Sequence, residues 1–224
     1  MVGAAVNARE TILARLRAAL DPAAPDRAAL DPAALDPAAL DAAASVPVEV
    51  PRDYRRDGPV DLDRLVDRLT DYRAHVHQVA EPAVADTIAA ILPTGASIVV
   101  PPGLPAAWLP PTVTARPDDD LDNQQIAAAD GVVTAAAVAI ADTGTVVLDG
   151  SPDQGRRVLS LLPDLHICVI RTDQVVAGVP QALARLTPHR PLTWISGPSA
   201  TSDIELNRVE GVHGPRTLHV ILLP

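Results

Sequence analysis

The chain has 224 residues, enough for one α/β domain with an appendage, and hydrophobic residues make up 48% of it. Its formal net charge of −10 argues against a nucleic acid or an anionic membrane surface as a partner, because a protein that binds either one needs a cluster of basic residues. The single cysteine, Cys168, excludes an internal disulfide and an iron–sulfur site built only from cysteines of this chain.

Aromatic residues make up only 2% of the chain and phenylalanine is absent, so Ala, Val, Leu and Ile must form the core. These residues suit a parallel-rich sheet covered by helices on both faces, which is the predicted α/β fold class. No run approaches ~20 apolar residues, and the N-terminus has no signal-peptide core. We therefore expect no membrane insertion and a cytoplasmic location.

The sequence predicts an N-terminal arm over residues 1–45 and an α/β domain over residues 46–224. Asn7–Leu20 has helical periodicity and is expected to form a docking or dimerisation helix. Asp21–Ser45 repeats with a period of five, as DPAAP, DRAAL, DPAAL, DPAAL and DAAAS. Its prolines argue against a continuous helix and leave short helical turns or a flexible linker as alternatives.

Helical periodicity predicts two amphipathic helices early in the domain, over Asp61–Tyr72 and Pro82–Leu92. Between them, His75–Val79 alternates in the manner of an edge strand. His75 and His77 would share one face of that strand, which suggests a metal site. Without a third ligand nearby, the pattern favours surface histidines.

Five further segments have simple interpretations. Predicted strands are Ser97–Val100 and His166–Ile170, and Val175–Leu186 is predicted to be an amphipathic helix. Trp108 is expected to cover an apolar surface, and Asp118–Asp120 is expected to be a solvated acidic loop.

The middle of the domain predicts a hairpin between two apolar runs. Val132–Ala141 is interpreted as a short helix or loop that passes into a buried strand, and Val146–Leu148 as the returning strand. The break between them contains Asp142, Thr143, Gly144 and Thr145. A short glycine-containing break of this kind indicates a hairpin, but a carboxylate and two hydroxyls are unusual for a plain turn.

The C-terminal stretch predicts a compact βαβ unit. Leu192–Ser196 and Leu218–Leu223 are apolar enough for buried strands, and Gly197 with Pro198 turns the chain between them. A short helix is expected from the capping box of Ser202 and Glu205 through Val209, ending at Gly211. Polar residues collect where the first strand meets this helix, which is where ligands usually bind in open α/β sheets.

Four motifs carry a resemblance to a known family: ADTGT at 141–145, SLLPxxH at 160–166, GPSxTxDIE at 197–205 and GVHGP at 211–215. Together they resemble the lactate-utilisation protein C family, the LUD domain, over about residues 46–223. The resemblance implies a fold similar to the sugar-phosphate isomerase and CoA-transferase superfamily. It also implies a role in oxidising L-lactate to pyruvate, with iron–sulfur clusters in separate partner subunits and no cofactor in this chain.

Two positions depart from the family pattern. The family usually has Glu at the position of Asp142 and a basic residue at the position of Ala200. The first change shortens a carboxylate by one methylene, and the second removes a contact for an anionic group.

The polar bends of the hairpin and of the C-terminal stretch predict one crevice that binds a small carboxylate or phosphate, because hydroxyls and free amides at a helix start favour anions. The predicted ligand-binding residues are Thr143, Gly144, Thr145, Gly197, Ser199, Thr201, Ser202, Asp203 and Gly214. The candidate catalytic residues are Asp142, Glu205 and His213. His213 could serve as a general acid or base, with Asp142 or Glu205 orienting it or acting as the base.

Each candidate also has a structural interpretation. Ser202 and Asp203 would cap a helix, and Glu205 would complete a capping box. His213 would bond a backbone carbonyl, Asp142 would stabilise a turn, and Gly214 would serve backbone geometry.

Three hypotheses on function remain open. The first is a subunit of a lactate-oxidising system that binds a small anion or an iron–sulfur partner. The second is a stand-alone enzyme acting on a sugar phosphate or a CoA thioester, and the third is a non-catalytic scaffold. A homo-oligomer is compatible with each of them. A lone NAD-dependent dehydrogenase is disfavoured, because no G-x-G-x-x-G follows a strand.

Overall fold

The computed structural model describes residues 51, 53–54, 58–201, 209–210 and 214–224, with backbone alone for residues 200–201 and 209–210. The predicted helix Asn7–Leu20, the repeat Asp21–Ser45 and the boundary between residues 45 and 46 lie outside the described residues. So do the capping-box residues and His213.

Helix α1 covers Leu62–Asp71, close to its prediction. Asp61 caps it, because its Oδ1 accepts a hydrogen bond from the Arg64 amide at 2.9 Å. Leu65 and Leu69 are fully buried on the predicted apolar face. The other helices are α2 at Val84–Ile91, α3 at Asn123–Ala127 and α4 at Val179–Arg185.

Six strands form a wholly parallel sheet in the order β1-β12-β7-β4-β2-β3 within the described part of the chain. Their bounds are His75–Gln78 for β1, Ser97–Val100 for β2, Thr114–Pro117 for β3, Gly131–Ala135 for β4, Leu165–Arg171 for β7 and Thr217–Leu223 for β12. The central strands carry apolar side chains on both faces of the sheet, because both faces are buried.

A second, four-stranded sheet has the order β8-β5-β6-β9. Its strands are β5 at Val138–Ile140, β6 at Thr145–Leu148, β8 at Val175–Val176 and β9 at Thr193–Ile195. Strands β5 and β6 form the predicted hairpin, and β9 pairs antiparallel with β6. A short antiparallel pair joins β10 at Ala200–Thr201 to β11 at Val209–Glu210.

The core lies on both faces of the six-stranded sheet. One face packs against α2, where Val84 and Ile88 are fully buried and Trp108 covers the apolar surface as predicted. The other face packs against α1, the second sheet and α3. The prediction of an α/β fold with a parallel-rich sheet and helices on both faces is therefore confirmed. Among the described residues, no helix is long and apolar enough to cross a bilayer.

Three element predictions were wrong. Val132–Ala141 contains two strands, β4 and β5, which belong to different sheets. Residues 175–176 form strand β8, so the helix predicted from Val175 begins only at Val179. The predicted βαβ unit does not exist, because β9 and β12 lie in different sheets and Val209 lies in a strand.

The acidic segment Asp118–Asp120 also differs from its prediction. The side chain of Asp118 is only 2% exposed, and Arg156 binds both of its carboxylate oxygens. A charged group loses its hydration on burial, so Asp118 requires this bidentate partner.

Candidate functional site

The turn between β5 and β6 contacts the end of β9, just before the predicted C-terminal bend. Pairing of β6 with β9 places the Thr145 hydroxyl 2.8 Å from the hydroxyl of Ser196. The Thr143 hydroxyl lies 2.7 Å from the Thr145 hydroxyl. The three side chains form a hydrogen-bonded chain from the β5–β6 turn to the end of β9.

Gly144 and Gly197 let both bends approach helix α1. Their φ angles are 58° and 85°, in the left-handed region that favours glycine. A Cβ at Gly144 would lie 2.6 Å from Cβ of Arg68, and one at Gly197 would lie 2.7 Å from Cβ of Tyr72. Contact with the C-terminal half of α1 therefore explains both glycines without a ligand.

Asp142 binds the other half of the same helix. Its Oδ1 accepts a hydrogen bond from the Arg64 guanidinium at 2.6 Å, and its amide donates to the carbonyl of Ala177 at 2.9 Å. Hydrogen bonding to Asp142 raises the pKa of Arg64, with the charge of Asp61 adding to it. Asp142 therefore anchors the hairpin to α1, which matches its structural interpretation as a turn-stabilising residue.

A pocket with a volume of about 160 Å³, here called the β9 pocket, lies between β9 and the amino ends of β7 and β12. Its lining residues are Ser160, Leu161, His166, 193–199, Gly214, Pro215 and Leu218. The bend that contains Ser199 is held over it, because the Ser199 amide donates to the carbonyl of Pro215 at 2.8 Å.

The β9 pocket contains part of the predicted ligand-binding set. Gly197, Ser199 and Gly214 line it. Thr145 bonds the lining residue Ser196, Thr143 bonds Thr145, and Gly144 lies against helix α1. Thr201 is described by its backbone in β10. Ser202, Asp203, Glu205 and His213 lie outside the described residues. The roles assigned to all of these residues stay predictions.

The position of the bend in the fold differs from the sequence-based expectation. A βαβ unit would have placed it at the carboxyl ends of parallel strands. Instead it lies near the amino ends of β7 and β12, because β9 joins the four-stranded sheet by pairing antiparallel with β6.

Four polar residues that line the pocket were not among the sequence candidates: Ser160, His166, Thr193 and Ser196. His166 is 1% exposed, and its Nε2 lies 2.8 Å from the hydroxyl of Thr134. The hydroxyl of Ser160 donates to the carbonyl of Arg157 at 2.9 Å. Burial lowers the pKa of His166 to about 4, so the imidazole is neutral at pH 7. The only sequence signal for His166 was its place in the SLLPxxH motif.

Cys168 lies two residues after His166 on β7, on the same face of the sheet. Its Sγ is 3.8 Å from the hydroxyl of Thr134 and 3.7 Å from the carbonyl oxygen of Ala135. Burial raises the pKa of the thiol to about 12. Cys168 is therefore neither a nucleophile nor a thiolate ligand near neutral pH.

Arg157 supplies positive charge beside the β9 pocket. It lines a small adjoining cavity that shares Ser160 and Thr193 with the pocket. Its side chain is exposed, and no ion pair to it is found among the described residues. A guanidinium at this position can contribute to the binding of an anion.

The histidines of β1 have a third neighbour that the sequence did not reveal. His77 Nε2 lies 2.9 Å from His219 Nδ1 on β12, and the His75 ring stacks on the His219 ring with centroids 4.6 Å apart. Burial, followed by the neighbouring charges of His75 and His77, lowers the pKa of His219 to about 4. Within the described ranges, no three side chains are arranged to hold a metal ion.

The fold and the β9 pocket define an α/β protein with a parallel sheet, a smaller mixed sheet packed on it and a hydroxyl-lined pocket between the two. A sequence profile of the LUD domain matches residues 62–223 of the chain. The chain therefore belongs to the LUD-domain family, as its motifs predicted.

Known relatives agree with this assignment. Lactate utilization protein C of Deinococcus radiodurans is 48% identical over 167 residues, which are 72% of this chain and 79% of that protein. Lactate utilization protein C 1 of Bacillus mycoides is 36% identical over 47% of this chain and 48% of its own length. The crystal structure of a DUF162 family protein from Deinococcus radiodurans matches with a TM-score of 0.65 and 40% identity, over 74% of this chain and 100% of that chain.

Proposed function

We propose that this protein is a component of an L-lactate utilisation system and takes part in the oxidation of lactate to pyruvate. The observation that carries the proposal is the 48% identity to a lactate utilization protein C, over 79% of that protein. The four family motifs contribute to one region of the fold, since residues of three of them line the β9 pocket and Thr145 of the fourth bonds the lining residue Ser196.

A small carboxylate is the ligand class that fits the β9 pocket. A volume of about 160 Å³ corresponds to roughly five water molecules at ~30 Å³ each. Its lining offers hydroxyls of Ser160, Ser196 and Ser199, and Arg157 adds a cation beside it. A molecule with a few heavy atoms and one negative charge suits this combination better than CoA, which is much larger.

The electrons of lactate oxidation would pass to separate iron–sulfur subunits. The chain has one cysteine, and its thiol is buried with a pKa of about 12, so Cys168 is not available as a thiolate ligand. We therefore place any cluster in partner subunits and propose that this chain binds the substrate, a partner, or both.

Growth of the source organism tests this role. Deletion of the gene should abolish growth on L-lactate as sole carbon source and leave growth on pyruvate unchanged, and the intact gene should restore it. Undiminished growth of the deletion strain on L-lactate would contradict the proposal.

A second experiment addresses the partners. The tagged chain, purified from cells grown on lactate, should retain cysteine-rich proteins that carry the absorbance of iron–sulfur clusters. Purification of the chain alone under these conditions, together with turnover of a sugar phosphate or a CoA thioester, would favour a stand-alone enzyme instead.

A further inference from the structure

A chain of buried hydrogen bonds gives His166 a defined tautomer. The Ala135 carbonyl can only accept, so the Cys168 thiol donates to it across 3.7 Å. Cys168 Sγ is then free to accept from the hydroxyl of Thr134 at 3.8 Å. The Thr134 hydroxyl has a single proton, which leaves its oxygen to accept from His166 Nε2 at 2.8 Å.

The second ring nitrogen of His166 is consequently an acceptor. In a neutral imidazole one nitrogen carries the proton, and the donor order of this chain assigns the proton to Nε2. Nδ1 therefore has a free lone pair, and no described residue forms a hydrogen bond with it. No fully buried side-chain nitrogen or oxygen of the described residues lacks a partner, so the unpartnered Nδ1 must reach accessible space, and the accessible space beside His166 is the β9 pocket.

We infer that the β9 pocket binds a 2-hydroxy carboxylate whose hydroxyl donates a hydrogen bond to Nδ1 of His166, and that the protein thereby selects the hydroxy acid over the corresponding oxo acid. The inference rests on the proposed role in lactate utilisation. It makes His166 a residue that determines specificity, with Thr134 and Cys168 fixing its tautomer.

The preference for the hydroxy acid follows from the presence of a hydroxyl proton, which the oxo acid lacks. A 2-hydroxy acid has a proton to donate to Nδ1, whereas a 2-oxo acid presents lone pairs at the same position. Binding of the oxo acid would bury an acceptor against an acceptor, and an unsatisfied buried acceptor costs about 1–3 kcal/mol. We therefore expect L-lactate to bind at least about fivefold more tightly than pyruvate.

Calorimetric titration of the full-length chain with L-lactate and with pyruvate, at pH 7.5, tests this selectivity. Thr134→Val keeps the shape of the side chain but removes the oxygen that holds Nε2–H, so Nδ1 can become the protonated nitrogen. The preference for lactate should then fall at least about threefold, or invert. Thr134→Ser retains the hydroxyl and should keep the wild-type preference.

The tautomer is also measurable in the unmodified protein. A two-bond ¹H–¹⁵N correlation spectrum, with the His166 signals assigned from a His166→Asn variant, should show a protonated Nε2 and an unprotonated Nδ1. A protonated Nδ1 in the wild-type protein would overturn the inference even if Thr134→Val failed to fold.

The titrations separate this inference from the proposed function. Equal affinity for the two acids, tighter binding of pyruvate, or no binding of either acid at millimolar concentration would overturn the selectivity. If the deletion strain still required the gene for growth on L-lactate, the proposed function would stand while the assignment of the ligand to His166 failed.

Discussion

The hydroxyl of Thr145 lies 2.8 Å from the hydroxyl of Ser196, across 51 positions of sequence. Pairing of β6 with β9 produces this contact, because Val146 opposes Ile195 in the ladder and the two strands are antiparallel. Thr145 thereby couples the β5–β6 turn to a residue that lines the β9 pocket.

Thr145→Val should reduce the free energy of unfolding by about 1–2 kcal/mol. Thr145 is 5% exposed, and the valine would leave the hydroxyls of Thr143 and Ser196 without this partner. Urea denaturation measures the loss. Thr145→Ser keeps the hydroxyl and removes only a methyl group, so a loss as large as that of valine would show that packing and not hydrogen bonding is responsible.

Gly144→Ala should destabilise the protein more than Gly95→Ala. Both glycines have positive φ, at 58° and 84°. Alanine at either position must therefore adopt a left-handed conformation, which costs about 1–2 kcal/mol of stability. Only at Gly144 would the new Cβ also collide with Arg68, since nothing lies within 4 Å of a Cβ at Gly95. Equal losses in the urea midpoint of the two variants would contradict the proposed packing of the turn against α1.

Local sequence patterns correctly predicted those helices and turns that are determined by a few neighbouring residues. Helix α1 followed from the spacing of its leucines, and the β5–β6 hairpin followed from the break that contains Gly144. The parallel sheet followed from a core of small aliphatic residues. The helix and the hairpin depended on periodicity or turn chemistry that acts within about ten residues, whereas the sheet was predicted from the composition of the whole chain.

Sheet membership could not be predicted in the same way. Residues 132–141 are uniformly small and apolar, and no residue in that run shows that β4 ends at Ala135 and β5 enters another sheet. Likewise, β9 is apolar enough for either sheet, and its pairing with β6 is set by contacts far away in sequence. The prediction of a βαβ unit failed for this reason.

Buried polar partners were missed because they are joined only by the fold. Asp118 stands in an acidic run that is typical of a solvated loop, yet Arg156, 38 positions later, makes its burial possible. His166 appeared to be one more residue of a buried strand, and Thr134 had no visible connection to it. Their contact exists because β4 and β7 are neighbours in the sheet.

Asp118→Asn should cost about 1–3 kcal/mol of unfolding free energy, because the neutral amide can accept only one of the two hydrogen bonds from Arg156 and turns an NH₂ donor toward the guanidinium. Asp71→Asn is the matched control. Asp71 is 72% exposed and lies 3.9 Å from Arg68, so its loss should stay within about 1 kcal/mol. Comparable urea midpoints for the two variants would contradict the structural role of Asp118.

Stability should decrease as the pH falls from 6.5 to about 4. Burial lowers the pKa of His166 from 6.5 to about 4, so protons in this range bind the unfolded chain in preference to the folded one. The histidine contributes its full stabilisation above pH 6.5, and up to about 3 kcal/mol is lost by pH 4. His219, whose pKa is lowered in the same direction, adds to the effect.

Urea denaturation at pH 7.5, 5.5 and 4.5 measures this loss. His166→Asn removes one titrating group and should flatten the pH dependence, and His219→Gln should flatten it by a smaller amount because that ring is partly exposed. A wild-type unfolding free energy that stays constant between pH 7.5 and 4.5 would show that neither imidazole is held neutral by the fold.

Arg157→Gln should weaken the binding of L-lactate about threefold to tenfold while leaving the urea midpoint nearly unchanged. Arg157 is exposed and lines the cavity beside Ser160, so it provides attraction for a carboxylate and contributes little to packing. Arg185→Gln is the control, because Arg185 is also exposed but does not line the β9 pocket. Charge attraction should also weaken as salt rises, so the difference between wild type and Arg157→Gln should shrink between 20 mM and 500 mM NaCl. If both variants bound L-lactate like the wild type at low salt, the anion-binding role of Arg157 would be excluded.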